Sequence, residues 1–382
     1  MRLNPLYAGY CTVLAIFAIF TYGFIDLNMK LFTNPLLLHL QAPLSYLVFH
    51  MRPATTGIFL LITMCLFYGY VTFLRYPEKY FPTWKKLLRF LFGIYLLLVI
   101  SFPALTYDLF NYITTAKVAF THHENPYVVM PVEIPNEPYL AFTRAANKFA
   151  LYGPVWILMT AIPHVLGGGD LWRTIVAFKL MNAAGLLLFS FIIYRFTKSI
   201  KNVIFFSLNP LVLIETLVSG HNDIFMMLFA ISGLLLSQKK GFRYKVAGFI
   251  ALLASILIKG ASVVLLPLLF TKKLSRDRLF FIAYCLLLIV FIVIAPLREE
   301  LYPWYAVWII SVASLLPFAR HPRLLEFTIV LSMALELRHL PYMWMGYYGG
   351  PGPLLRFAFT VIPVALYLGA SGLQYISGKR RS

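Results

Sequence analysis

Asp108 lies in the segment YDLFNY (107–112), directly after a long apolar run. A carboxylate at the edge of an apolar phase can take a proton from an attacking hydroxyl. Partial desolvation there is expected to raise its basicity. A single Asp at the end of a span also serves as an interface anchor, where charged residues are common. Tyr112 follows one helical turn later on the same face. Lys259 is the natural complement, a cation inside the apolar stretch 246–270. An unpaired charge there is costly, so it answers either an anionic ligand or a structural partner. Arg144 and Lys148, four residues apart, offer a second anion site or a solvated basic face. Lys179 is interior to a span, and the sequence identifies no acid for it.

Other candidates cluster in turns. Ser219-Gly220 makes good turn chemistry, and Asn222-Asp223 caps a following helix well. The same His221, Asn222 and Asp223 could bind a polar ligand or supply a second acid. Glu215 lies two helical turns before Asp223 and needs a partner. Asn125 and Tyr127 stand in NPY, and Tyr152 in YGP. His122, His123 and Glu124 could join Asp108 around a divalent metal, Mg²⁺ or Mn²⁺, since imidazole and carboxylate suit it. Adjacent histidines on a solvated loop are more often not ligands. Tyr302, Trp304 and Tyr305 either stack on a ligand or form an aromatic belt at a span start.

Composition fixes what must position these residues. Of 382 residues, 60% are hydrophobic and 12% charged, against about a quarter charged in a soluble domain. Mean hydropathy is +0.79. Too little polar surface remains for a soluble core, and disorder, collagen and coiled coil are excluded as well. Runs of about 20 apolar residues recur and strand alternation is absent, so the chain reads as an all-α polytopic membrane protein. The net charge is +19, but the basic residues sit in short clusters between apolar runs. That is the positive-inside pattern rather than a nucleic-acid surface. Cys11, Cys65 and Cys285 lie inside apolar runs and suggest neither disulfide nor metal.

The clusters are Arg2; Arg75 to Arg89; Arg195 to Lys201; Lys239 to Lys245; Lys272 to Arg278; Arg320 and Arg323; and Lys379 to Arg381. Placed in the cytoplasm, they put both termini inside and predict spans at 7–25, 55–74, 90–106, 173–194, 279–297, 303–318, 324–340 and 354–376. The first is read as uncleaved. Residues 151–167 should not cross fully. Residues 202–237 should leave and return around 219–223, and 246–270 should form a hairpin of half-helices. About 10–13 membrane segments result, some broken or re-entrant. Broken helices need protein or a water-filled cavity to satisfy their backbone, so an internal cavity is expected. Residues 107–150 form the first long outer loop, and Leu36–His50 an amphipathic helix on the membrane. One integral membrane domain covers 1–382, with a core over about 1–270 and C-terminal helices over about 279–382.

Five segments carry a resemblance: YDLFNY (107–112), NPY (125–127) with YGP (152–154), NPLVLIE…GHND (209–223), IKGASVVLLPLL (258–269) and YPWYAVW (302–308). In order and topology the chain resembles the GT-C superfamily of membrane glycosyltransferases. It is most similar to the polyprenol-phosphate-mannose-dependent α-mannosyltransferases of bacterial cell envelopes. It differs in carrying Gly260 and Ala261 where an aromatic residue usually follows the lysine. The resemblance implies a GT-C-like bundle in the plasma (cytoplasmic) membrane, with its active site on the outer face. A sugar, mannose in that family, would pass from a polyprenyl-phosphate donor to a lipid or glycan acceptor hydroxyl. Asp108 would be the general base and inversion the outcome, since direct displacement needs only one carboxylate. Lys259, with Arg144 and Lys148, would hold the phosphate. Tyr112, Asn125, Tyr127, Tyr152, His221, Asn222, Asp223, Tyr302, Trp304 and Tyr305 would line the sugar and acceptor sites. Membrane lipids are partners; nucleic acid is not.

Three other readings compete. A transporter or flippase also has broken helices and a polar cavity, but the chain shows no inverted repeat. An inactive membrane subunit would tolerate loss of Asp108. Another transferase of the superfamily would move a different group.

Overall fold

A computed structural model describes residues 5–26, 28–29, 31–271, 274–298 and 300–379. The cytoplasmic placement of Arg2, Lys272, Lys273, Arg380 and Arg381 lies outside the described residues. Within them all regular secondary structure is helical, with no strand. Five helices are long and apolar enough to cross a membrane: Pro5–Phe24, Arg52–Arg75, Leu171–Thr197, Arg276–Leu297 and Gly352–Gln374. The apolar pair Ile200–Ser207 and Pro210–Val218, bent by 51°, makes a sixth if the two are taken as one span. The bend falls at Asn209-Pro210. Pro210 has no N–H to donate to the preceding turn, and the Asn209 side chain caps Leu211 N at 3.0 Å instead.

Several expected spans are shorter than a crossing needs. The run over 90–106 is helical only as Trp84–Val99. It stops ahead of Pro103, which disfavours helical geometry in the residue before it. The run over 324–340 divides into Pro322–Glu336 and His339–Met345. The 303–318 run is a 3₁₀ turn, Pro303–Tyr305, leading into Ala306–Ala313. The segment 151–167 gives a 14-residue helix, Pro154–Gly167, about 21 Å long against a hydrocarbon core of about 30 Å. The stretch 246–270 breaks as the sequence suggests. The helix Phe242–Ile256 and the 3₁₀ segment Gly260–Phe270 meet at Lys259, whose backbone is extended.

Packing draws these breaks together. One hydrophobic cluster runs from Tyr10 to Met343. Gly153 lets the start of Pro154–Gly167 lie against the Lys259 turn: its N–H donates to Ile258 O at 3.1 Å. A Cβ there would stand 2.1 Å from Leu257 O. Lys179 is fully buried and donates to the backbone oxygen and hydroxyl of Ser101, the latter at 2.6 Å. Its partner is therefore a helix end, not an acid. Leu36–His50 lies within the helix Pro35–His50, capped by Asn34 and largely exposed along its length.

Candidate active site

A cavity of about 1250 Å³ opens where the broken elements converge. It exceeds the usual range of about 300–1,000 Å³ for small-molecule pockets. Asp108, Arg144, Lys148, Tyr152, Lys259, Tyr302, Trp304 and Tyr305 all line it.

Asp108 opens the helix Asp108–Phe120, and its side chain keeps 24% of its surface exposed. Its Oδ2 accepts a 3.0 Å bond from the Tyr152 hydroxyl and lies 3.5 Å from His221 Nδ1. The Thr106 hydroxyl stands 3.3 Å from His221 Nε2. That same Nε2 is 3.3 Å from Glu215 Oε2. A chain of charge thus runs inward from Asp108 through His221 to Glu215. Gly220 makes the turn possible: its φ of +87° is a left-handed conformation that side chains disfavour. A Cβ there would meet Leu109 at 3.2 Å. His221 is closed off by Trp304, stacked on its ring at 4.0 Å and 17°.

The electrostatics reverse one expectation. Burial alone would raise the Asp108 carboxyl. The contact and charge of His221, the Lys259 ammonium and the Tyr152 hydroxyl outweigh burial and hold it below its ordinary value. Burial pushes His221 down, but Asp108 and Glu215 override this and bring it up to about 9. Asp108 is therefore an ionised carboxylate against an imidazolium, not a base made strong by desolvation. Burial and the Asp108 charge push the Tyr152 phenol far above its ordinary value, so it stays a donor.

Lys259 forms the second charged pair. Its Nζ lies 2.8 Å from Asp223 Oδ1, and over the rings of Tyr305 at 4.5 Å and Trp308 at 5.5 Å. The Trp308 indole N–H donates to the same Asp223 oxygen. Asp223 is buried behind the lysine and is its counterion. Lys259 still presents 17% of its side chain toward the cavity.

The remaining sequence candidates divide. Tyr302 stacks on Trp304 at 4.4 Å, extending the aromatic wall from His221. Arg144 lies over Tyr107 at 4.6 Å, with Nη2 3.6 Å from Asp26, and Lys148 is exposed on the rim. Tyr112 packs edge-on against Tyr152 and Trp156 and does not line the cavity. Asn125 and Tyr127 also stand outside it. The Asn125 side chain turns the loop through Tyr127 N at 3.0 Å, and the Tyr127 hydroxyl donates to Tyr152 O at 2.8 Å. They brace the residue that touches Asp108. Asn222 is fully buried behind the turn. His122 lies 3.6 Å from Glu137, while His123 and Glu124 are exposed. These three are not gathered with Asp108. Among the described residues, the histidine and acid side chains close enough to share an ion are Glu215, Glu336 and His339.

A further part of the lining escaped the sequence reading. Arg338 Nη2 and Arg356 Nη1 converge on Glu300 Oε1 at 2.7 and 2.6 Å. Arg52, His339, Tyr342, Tyr347 and Tyr348 complete this side. The signal was present: Arg338 and Arg356 fall inside or at the start of expected spans, where ionisable residues mark function by default.

Comparison with known proteins gives one match. A family model described as alpha-(1->6)-mannopyranosyltransferase, N-terminal domain, matches residues 7–273. No curated protein and no solved structure matches the chain.

Proposed function

The chain belongs to the alpha-(1->6)-mannopyranosyltransferase family and is a membrane glycosyltransferase; on that premise we propose that it transfers mannose from a polyprenyl-phosphate donor to a lipid or glycan hydroxyl. The site would face the outer side of the cytoplasmic membrane, with both termini inside, as the distribution of basic clusters supports. The observation that carries the proposal is Asp108, set against His221 and Tyr152 and opening on a large cavity that Lys259 also lines.

In this reaction the acceptor oxygen bonds to C1 of the mannosyl unit as the bond from C1 to the phosphate oxygen breaks. The acceptor proton passes to Asp108. The electron pair leaves with the polyprenyl phosphate, toward the Lys259 ammonium, with Arg144 and Lys148 at the rim. Direct displacement inverts C1. The low proton affinity of Asp108 in the free site suits this chemistry. A donor phosphate brings negative charge that raises a nearby carboxyl, and the His221 imidazolium keeps the base ionised against it. Tyr302, Trp304 and Tyr305 offer aromatic faces for the sugar.

The test is transfer from radiolabelled polyprenyl-phosphate mannose to membrane extract by the purified protein. Wild type should form a labelled product, and Asp108→Asn should not, while still binding donor. Near-normal turnover in that variant would sink the assignment of the base. Absence of transfer by well-folded wild type would sink the donor assignment.

A further inference from the structure

Behind the active site two buried carboxylates meet with too little positive charge around them. Glu215 lies in the π-helical turn Leu213–Val218, and Glu336 ends the helix Pro322–Glu336. Both are fully buried. With His339 they bring one ligand atom each to within 4.8 Å of one another. Glu215 Oε1 is 3.0 Å from His339 Nε2, and Oε2 faces His221 at 3.3 Å. Neither oxygen of Glu336 has a hydrogen-bond partner among the described residues. The nearby cations are engaged elsewhere: Lys259 with Asp223, and Arg338 and Arg356 with Glu300. A buried carboxylate with no partner is strongly disfavoured, more so than an uncharged polar group.

We propose that Glu215, Glu336 and His339 hold a divalent first-row transition ion, of the Mn²⁺ or Zn²⁺ class. Two carboxylates and one imidazole form a mixed oxygen and nitrogen set that suits these ions. Calcium demands six to eight oxygens, and Mg²⁺ favours an octahedron of oxygens and waters. An ion with bonds of about 2.0–2.2 Å keeps its ligand atoms within about 4.4 Å of one another, so seating it draws the three inward slightly. His339 lines the cavity and is 14% exposed, which supplies a route in. The ion replaces the direct contact between His339 Nε2 and Glu215 Oε1. Glu215 keeps its other oxygen toward His221. The ion is thereby a positioning element two contacts removed from Asp108, and it takes no part in bond making.

The experiment uses the full chain in detergent, stripped with chelator, and neither donor nor acceptor. Its failure therefore leaves the transferase reading untouched. Elemental analysis after adding back Mn²⁺ or Zn²⁺ should find one ion per chain. Pulsed electron paramagnetic resonance of the Mn²⁺ form should show coupling to one imidazole nitrogen. Losing a supporting partner weakens metal sites about 10–100-fold, so Glu336→Gln should weaken binding at least about a hundredfold. His339→Ala should remove the nitrogen coupling. The stripped Glu336→Gln protein should unfold no lower than stripped wild type, which keeps the affinity measurement interpretable. Sub-stoichiometric metal in wild type overturns the proposal in favour of a proton shared by the two carboxylates. Unchanged affinity in Glu336→Gln, or Mn²⁺ bound without nitrogen coupling, overturns it as well.

Discussion

The cavity has two walls built on different terms. One carries Asp108, Tyr152 and Lys259, with His221 and Asp223 buried behind them, and lies within residues 7–273 that match the family model. Its charges come in opposed, buried pairs: Asp108 with His221, and Asp223 with Lys259. The other centres on Glu300, Arg338 and Arg356, which lie beyond the match. There two guanidinium groups share one carboxylate oxygen, leaving a net positive face. The first wall is balanced before any ligand arrives, as a catalytic base requires if it is to stay ionised. The second holds surplus cation, as an anion-binding surface requires. The contrast suggests chemistry on one wall and ligand retention on the other.

The largest expected effect falls on the first wall. Asp108→Asn should lower kcat by at least about 10²–10⁴-fold, the usual contribution of a general base, with donor affinity retained. Single-turnover transfer checks it, and an effect mainly on KM would dissolve the distinction between the walls. Lys259→Ala should weaken donor binding and also destabilise the protein. Removing one partner of a buried pair costs about 3–5 kcal/mol, here through the orphaned Asp223. Adding Asp223→Asn should restore the thermal midpoint without restoring donor affinity. Recovery of both would reduce Lys259 to a structural role.

The second wall should respond more mildly. Arg338→Gln and Arg356→Gln should raise KM about tenfold each, with kcat nearly unchanged, as for binding equal in ground and transition states. Steady-state kinetics decide it, and a loss confined to kcat would move these arginines into the chemical step. The smallest effect concerns pH. His221 and Tyr152 both favour the charged form of Asp108, so its proton affinity is held down. Activity that needs the carboxylate should persist as pH falls past the ordinary carboxylate range. Tyr152→Phe removes one of these stabilisers. The acidic limb of kcat/KM should then move to higher pH. His221→Gln should move it further in the same direction, because His221 contributes more. An unmoved limb in both variants would mean that another group titrates.

Much of the first wall was legible because it broke the local rule of its surroundings. Asp108, Lys259 and Glu215 are ionisable residues in or against apolar segments, and such residues are expensive without a role or a partner. The breaks at 219–223 and 259 were legible through Gly220 and through segment lengths that allow no full crossing. Partners were not legible. Asp223 reads as a free acid in sequence but faces Lys259, 36 residues away. Tyr112, Asn125 and Tyr127 read as ligands of a sugar, yet they pack around or brace Tyr152. Glu336 and Arg338 disappeared into what the hydropathy pattern treats as one generic span.

By itself, the sequence determined that the chain is a helical membrane protein, that it breaks near 219–223 and 259, and which charges cannot be idle. Those follow from local quantities: segment length, hydropathy and the cost of ions in an apolar medium. Tertiary packing alone decided which charges meet. The sign of the shift at Asp108 depends on His221, Lys259 and Tyr152 converging from three separate segments. Desolvation of a carboxyl can be inferred from its neighbours in sequence. The neighbours in space that outweigh it are set only by the fold.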